Sequence, residues 1–380
     1  MKTKNNKIKE VILHVGLHKT GTTSIQKTLF SERNNKILEQ KGYIYPKIFG
    51  ENHSYPLYSA FCDSPETYYE NIKKGYTNSQ IQNINSQNLD KLRWELLEKE
   101  QSKLIISGED ISRLSVKNLK ELKRYINSLS TLPLIIKVLI YVRNPINWSV
   151  SAIQEKIKGG ETYQTAFYYM ENHLKFHFQK KFKKFLEVFG KEHIEIYPFE
   201  DAISYDYGPV GHFLSILDFH ENEIDGFNII RGNESMSLVT GEILSFINER
   251  LPMLKNGKIN VGRSEGDFAL LLNIRGPKFD IPQNDKIKLL ESSQEDAKWF
   301  KDKFNIDYLN SRKYPIDSID LTDCKFIEET LEDIEKIFLS SELSPPLREL
   351  IVKFLKEQID KNSHFLNKPL LEEIIKKFSP

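Results

Sequence analysis

The sequence predicts an α/β fold in three layers, with a mostly parallel central sheet, helices on both of its faces and helical additions toward the C-terminus. Three observations predict it. Short apolar runs at 11–15, 103–107, 135–142 and 194–197 have the length and β-branched character of buried strands. Stretches of helical spacing lie between them. The first run passes through a glycine-bearing loop into a helix, which is the front half of a βαβ unit.

Each element follows in order. Val11-Ile-Leu-His-Val15 is the first strand, and a helix is expected over 24–38, with Ile25, Leu29 and Ile37 on related faces. Residues 50–90, rich in Asn, Ser, Tyr and Pro, read as loops and short helices over the sheet. A helix at 92–100 precedes the strand Lys103-Leu-Ile-Ile-Ser107, and a helix at 119–129 precedes the strongly apolar strand at 135–142. Asn144-Pro145 starts the next helix, Asn as N-cap and Pro at the first helical position. Phe178, Phe182, Phe185 and Phe189 follow helical spacing as a core stripe, and Gly190 closes that helix. Ile194-Glu-Ile-Tyr197 is the fourth strand. From about 208 onward helical stretches alternate with loops, and 347–355 and 370–378 are amphipathic. The domain reading is an α/β core over 1–235 and a mainly helical region over 236–380 that completes the core or shapes a binding site.

Composition narrows the function. Hydrophobic residues make up 39% and charged residues 28%, a globular balance. The net charge of +1 lacks the positive excess of a general nucleic-acid binder, so any anion site must be local. The two cysteines, Cys62 and Cys324, form no metal-ligand or disulfide pattern and read as buried, inert thiols. No metal is expected. No apolar run reaches the roughly 18 residues that a membrane span needs, and the apolar run at 11–15 is too short for a signal-peptide core. The expected setting is the cytoplasm.

The most informative stretch is Gly16-Leu-His-Lys19-Thr20-Gly21-Thr22-Thr23-Ser24. Glycines let the backbone turn tightly against a ligand. Amides at the start of the following helix favour an anion, Lys19 adds a full charge, and four hydroxyls add donors. The lysine precedes the second glycine, whereas a nucleoside-triphosphatase loop carries it after that glycine. The plain alternative is a glycine turn with a solvated lysine.

HVGLHKTGTTSIQ resembles the 5′-phosphosulfate-binding loop of the sulfotransferases that use 3′-phosphoadenosine 5′-phosphosulfate (PAPS), especially bacterial sulfotransferase-like proteins of the P-loop fold. The resemblance implies PAPS as donor and adenosine 3′,5′-bisphosphate (PAP) as product. It implies that Lys19, Thr20, Gly21, Thr22, Thr23 and Ser24 hold the 5′-phosphosulfate, with Lys19 also serving the chemistry.

A second match lies far away in the chain. Val138-Leu-Ile-Tyr-Val-Arg143-Asn-Pro145 ends a strand in an arginine that can fork onto a phosphate, and Ser151 follows eight residues later. The pair resembles the family's 3′-phosphate-binding motif. Taken alone, Arg143 also suits a strand-end salt bridge and Ser151 a helix surface. Arg231-Gly-Asn-Glu-Ser235 resembles a distal nucleotide-contacting loop of the family. The resemblance covers roughly residues 10–235, with gaps.

Sulfuryl transfer needs an in-line hydroxyl, charge stabilisation at the leaving oxygen and a base for the acceptor proton. Ser107-Gly-Glu109-Asp110 places two carboxylates just past a strand end, the edge where open α/β sheets bind ligands. In related sulfotransferases the base follows the strand before the arginine strand, so the resemblance and chain order point to Glu109. Asp110 also suits an N-cap. His53 is the rival base, with acceptor contact and a plain loop histidine as its other readings. His14 is expected to be packed within the strand, and His18 to touch donor or acceptor. The acceptor, read from the family, is a hydroxyl on a saccharide. The competing functions are a P-loop nucleotide kinase or nucleoside triphosphatase, and a catalytically idle nucleotide-binding protein.

Overall fold

The computed structural model describes residues 7–174, 177–232, 235–255, 258–264, 267–310, 313, 326–361 and 367–379. The expectations on Cys324 and on Asn233 and Glu234 lie outside the described residues. Five strands form one parallel sheet: β1 (Glu10–His14), β2 (Tyr43–Ile44), β3 (Lys103–Ser107), β4 (Ile135–Val142) and β5 (Ile194–Pro198), in the order β2-β3-β1-β4-β5. β1 lies at the centre, with Leu13 opposite Ile106 on one side and Val138 on the other. Parallel neighbours need crossovers, and helices supply them.

Both faces of the sheet are covered. Ile12, Ile105, Leu139 and Tyr141 pack on one face with Ile25, Leu29, Phe213 and Leu217. Val11, Leu13, Leu104, Ile106, Val138 and Ile140 alternate with them along the strands and are equally buried, which is why these strands read as continuous apolar runs. The fold is therefore the three-layer α/β architecture that the sequence predicts.

Some elements differ from expectation. The helix expected over 24–38 is two helices, α1 (Thr22–Phe30) and α2 (Glu32–Gln40), broken at Ser31, whose ψ of 134° leaves the helical region. Ser31 then precedes Glu32, an acid in the first turn of α2 that suits the positive helix end. The helix expected at 92–100 begins much earlier, as Asn78–Leu97, on a capping box at Thr77 and Gln80. The edge strand β2 has two residues, too few for a periodic signal. Cys62 is half-buried rather than buried, and burial still pushes its thiol pKa up.

The phenylalanine stripe is core. Phe178, Phe182, Phe185 and Phe189 are buried on the helix His177–Phe189, and Phe182 meets Phe300 edge-on at 5.2 Å. Gly190 follows at φ 88°, a positive φ that glycine adopts readily, and the helix ends there.

The chain divides into two compact units. One comprises Met1–Asn144, Phe176–Asn233 and Trp299–Ile306, and holds the sheet. The other comprises Pro145–Lys175, Glu234–Lys298 and Asp307–Pro380. The assignment of Pro145–Lys175 to the later residues has no counterpart in the sequence reading. The second unit is mainly helical, with Leu238–Arg250 and Pro345–Lys361 among its helices, and a short antiparallel pair at Leu254–Lys255 and Lys258–Ile259. Its Arg275 pairs with Asp333 at 2.7 Å. No helix among the described residues is long and apolar enough to cross a membrane.

Candidate functional site

The site is built at the carboxyl end of β1. The strand ends at His14, and Val15 still donates to Leu139 O at 3.1 Å, so the loop leaves from a fixed point in the sheet. Gly16 then turns at φ 25°. A side chain there would put its Cβ 2.6 Å from Thr22 Oγ1 and 3.4 Å from His14 Nε2. Gly21 sits at φ 75°, and its Cβ would lie 2.8 Å from Pro209. Both glycines are thus demanded by conformation and by space. Lys19 also adopts a left-handed conformation, φ 72°, unusual for a residue with a side chain.

Within the loop, the Thr20 hydroxyl is buried and donates to Leu17 O at 2.6 Å, closing the turn. α1 begins at Thr22 with no acid in its first turn and no side-chain cap on its amides. Such a helix start attracts an anion. Two fully enclosed polar atoms face the same place. Thr22 Oγ1 and His14 Nε2 are buried and have no hydrogen-bond partner among the described residues. A buried polar atom without a partner is costly, and a ligand atom removes the cost. Burial holds the His14 pKa down at about 3, so the ring is neutral, and its Nδ1 pairs with Ser107 Oγ at 2.9 Å.

Three further segments of the same unit meet the loop. Arg143, one residue past β4, donates from Nη1 to Lys19 O at 3.1 Å and lies over the Phe199 ring at 5.3 Å. Burial lowers its pKa, against a smaller opposite pull from Glu200. Gly232 N–H donates to Ser24 Oγ at 2.9 Å, which brings the Arg231 segment to the first turn of α1, with Arg231 itself exposed. A Cβ on Gly232 would stand 3.0 Å from the Thr23 methyl.

The third segment follows β3. Glu109 opens a short 3-10 turn, Glu109–Arg113. The Gln26 side-chain amide donates to Glu109 Oε2 at 3.1 Å, and Asn52 Nδ2 donates to Glu109 Oε1 at 3.3 Å. Gln26 also reaches Ser107 O at 3.2 Å. Neutral amides orient this carboxylate, and among the described residues no cation pairs with it.

His53 stands behind this turn. It is fully buried, packs against Tyr45 with tilted rings whose centres are 4.4 Å apart, and accepts the Ser107 N–H at Nδ1, 3.1 Å away. Burial pulls its pKa down to about 3, against weaker opposite contributions from the backbone of Pro46 and Gly50. Its place is the packed support of the β3 end. Ser151 lies on the helix Pro145–Lys158 of the other unit.

His18, from the phosphate loop, reaches Asp110 Oδ1 at 3.3 Å. Asp110 also accepts from Tyr68 OH at 2.7 Å and from Arg113 at 3.1 Å. Burial alone would raise the Asp110 pKa, but hydrogen bonds from His18, Tyr68 and Arg113 bring it down to about 2. Asp110 is thus a fixed anion rather than a helix cap.

The structure therefore brings together Lys19, Thr20, Gly21, Thr22, Thr23, Ser24, Arg143, the Arg231 segment and Glu109. Sequence reasoning did not find Gln26 and Asn52. Gln26 lies four residues after Thr22 on α1, so helical spacing from the loop marks it. Asn52 carries no such signal.

No family model and no curated protein matches this chain. Among solved structures, a sulfotransferase from Alicyclobacillus acidocaldarius aligns with 64% of this chain and 92% of its own, at 12% identity and a TM-score of 0.34. A likeness of that strength carries no functional argument, and the chemistry of the site has to stand on its own residues.

Proposed function

We propose that this chain transfers a sulfuryl group from PAPS to an acceptor hydroxyl, with a saccharide acceptor and a cytoplasmic setting as the sequence reading has them. The observation that carries the reading is the pair of buried, unpartnered atoms Thr22 Oγ1 and His14 Nε2 at Gly16, beneath an uncapped helix start. That cradle fits a multiply charged oxyanion, and the motif resemblance supports a phosphosulfate.

In this reading the donor supplies the sulfuryl group and a phosphate leaving group. Lys19, the first-turn amides and the Thr22 and Thr23 hydroxyls bind the 5′-phosphosulfate and neutralise charge growing on the leaving oxygen. Ser24 and Thr20 mainly fix the loop through Gly232 and Leu17. Arg143 and Arg231 hold the 3′-phosphate, the group that separates this donor from ATP. Glu109, oriented by Gln26 and Asn52, takes the acceptor's proton as the new sulfur–oxygen bond forms. His53 supports the Ser107 end of β3 and with it the Glu109 turn.

Incubation with PAPS and hydroxyl-bearing oligosaccharides tests the reading. The expected result is PAP and sulfated product in equal amounts. Formation of ADP from ATP with magnesium, and no PAP from PAPS, would replace it with the kinase or triphosphatase reading.

A further inference from the structure

Beside Glu109 lies a group of cations that the donor reading does not use. Arg113 reaches Asp110 at 3.1 Å and lies over the Tyr58 ring at 4.7 Å. Lys184 donates to Leu114 O at 2.6 Å and has no acid partner among the described residues. Lys181, one turn before it on the helix His177–Phe189, is half-buried and has neither a hydrogen bond nor an ion pair among the described residues. Asp110 is the carboxylate that faces Arg113 and Lys181, and His18 of the phosphate loop shares it. The whole chain carries a net charge of only +1, so this concentration is local.

Holding cations half-buried and side by side is unfavourable without an anion. The strain shows in the lysines. Burial first, then repulsion from Arg113, lowers the Lys181 pKa to about 8, with Asp110 pulling the other way. Burial first, then Lys181, lowers Lys184 to about 8. An arriving anionic group relieves both costs. The cluster also adjoins Glu109 through Asp110, its chain neighbour, and touches the phosphate loop through His18.

We propose that the acceptor hydroxyl belongs to an anionic molecule, and that Lys181, Lys184 and Arg113 bind its carboxylate or its sulfate or phosphate ester. The proposal rests on the reading that the acceptor approaches Glu109. Asp110 keeps Arg113 aimed and limits the charge, so one anionic group suffices.

The test uses the full chain saturated with PAP, its lysines labelled by reductive ¹³C-methylation. Two anionic tetrasaccharides serve as probes, one bearing glucuronate carboxylates and one bearing sulfate esters, with the carboxyl-reduced, unsulfated form as neutral control. Signals of Lys181 and Lys184, assigned with Lys181→Gln and Lys184→Gln, are expected to shift with an anionic probe and not with the neutral one. The probe that shifts them identifies the anion. Each substitution should weaken anionic-probe binding about 10-fold or more, the usual size of a lost charge-assisted contact, and leave PAP binding unchanged. No shift with either anionic probe, or equal binding of neutral and anionic forms, overturns the proposal while PAP binding keeps the donor reading intact. Failure to bind PAP at all counts against the donor reading, and lysine shifts seen without PAP would still support the anion site.

Discussion

The side-chain amide of Gln26, on the first helix after the phosphate loop, donates to Glu109 Oε2 at 3.1 Å. This bond ties the candidate base to the element that presents the donor's binding groups. On the proposed function, a shift of that helix on donor binding would be transmitted to the carboxylate.

Glu109→Gln keeps the size and polarity of the side chain but cannot take a proton. Turnover should fall by about 10²–10⁴-fold, with PAP affinity nearly unchanged. Near-normal turnover in this variant, measured by PAP release, would remove Glu109 from the base role.

Gln26→Leu tests the link itself. It removes the donor to Glu109 and Ser107 O without opening a large cavity. The expected result is a lower kcat with KM for PAPS little changed. An equal loss in Glu109→Gln and in the Gln26→Leu/Glu109→Gln double variant shows that Gln26 acts through Glu109. Additive losses would show that it does not.

Lys19→Ala and Arg143→Ala should each weaken PAP or PAPS binding by about 1.5–3 kcal/mol, roughly 10- to 100-fold. Calorimetric titration reads this directly. Gly16→Ala should have a comparable effect for a steric reason, since its Cβ would stand 2.6 Å from Thr22 Oγ1 at a φ of 25°. Full PAP affinity in Gly16→Ala would show that the cradle is not where the phosphate sits.

Asp110 sets an acid limb of stability. Its pKa is lowered from 3.8 to about 2 in the folded chain. A lowered carboxyl pKa contributes stability that is complete above the unfolded value and is lost as pH falls through the folded one. The contribution is on the order of 2 kcal/mol. Denaturation curves should therefore show the wild type losing stability between about pH 4 and pH 2 more steeply than Asp110→Asn. Parallel curves would refute the pairing with His18, Tyr68 and Arg113.

The long strands and the glycine loop were legible because their signals are local. Ile135–Val142 is apolar throughout because both faces of the sheet are buried, and Gly16 and Gly21 mark the turn that the backbone then adopts. Arg143 was legible from its place at a strand end. Less visible were features made by contacts distant in sequence. Gln26 meets Glu109 across 83 residues, and Gly232 meets Ser24 across 208. His53 looked like a polar-loop histidine because its neighbours Asn52 and Ser54 are polar, yet Tyr45, Phe49 and Ser107 enclose it. The break at Ser31 was hidden because apolar spacing continues across it from Leu29 to Ile37.

The proposed function requires that the cradle at Gly16 and the arginine past the fourth strand recognise a nucleotide carrying phosphates at both the 3′ and 5′ positions. Thermal unfolding with PAP, compared with ATP plus magnesium, tests it most directly, because a ligand that binds only the folded chain raises the melting temperature. PAP is expected to raise the melting temperature by several degrees, ATP with magnesium little or not at all, and Arg143→Ala to lose the PAP effect. Stabilisation by ATP with magnesium and none by PAP would contradict it.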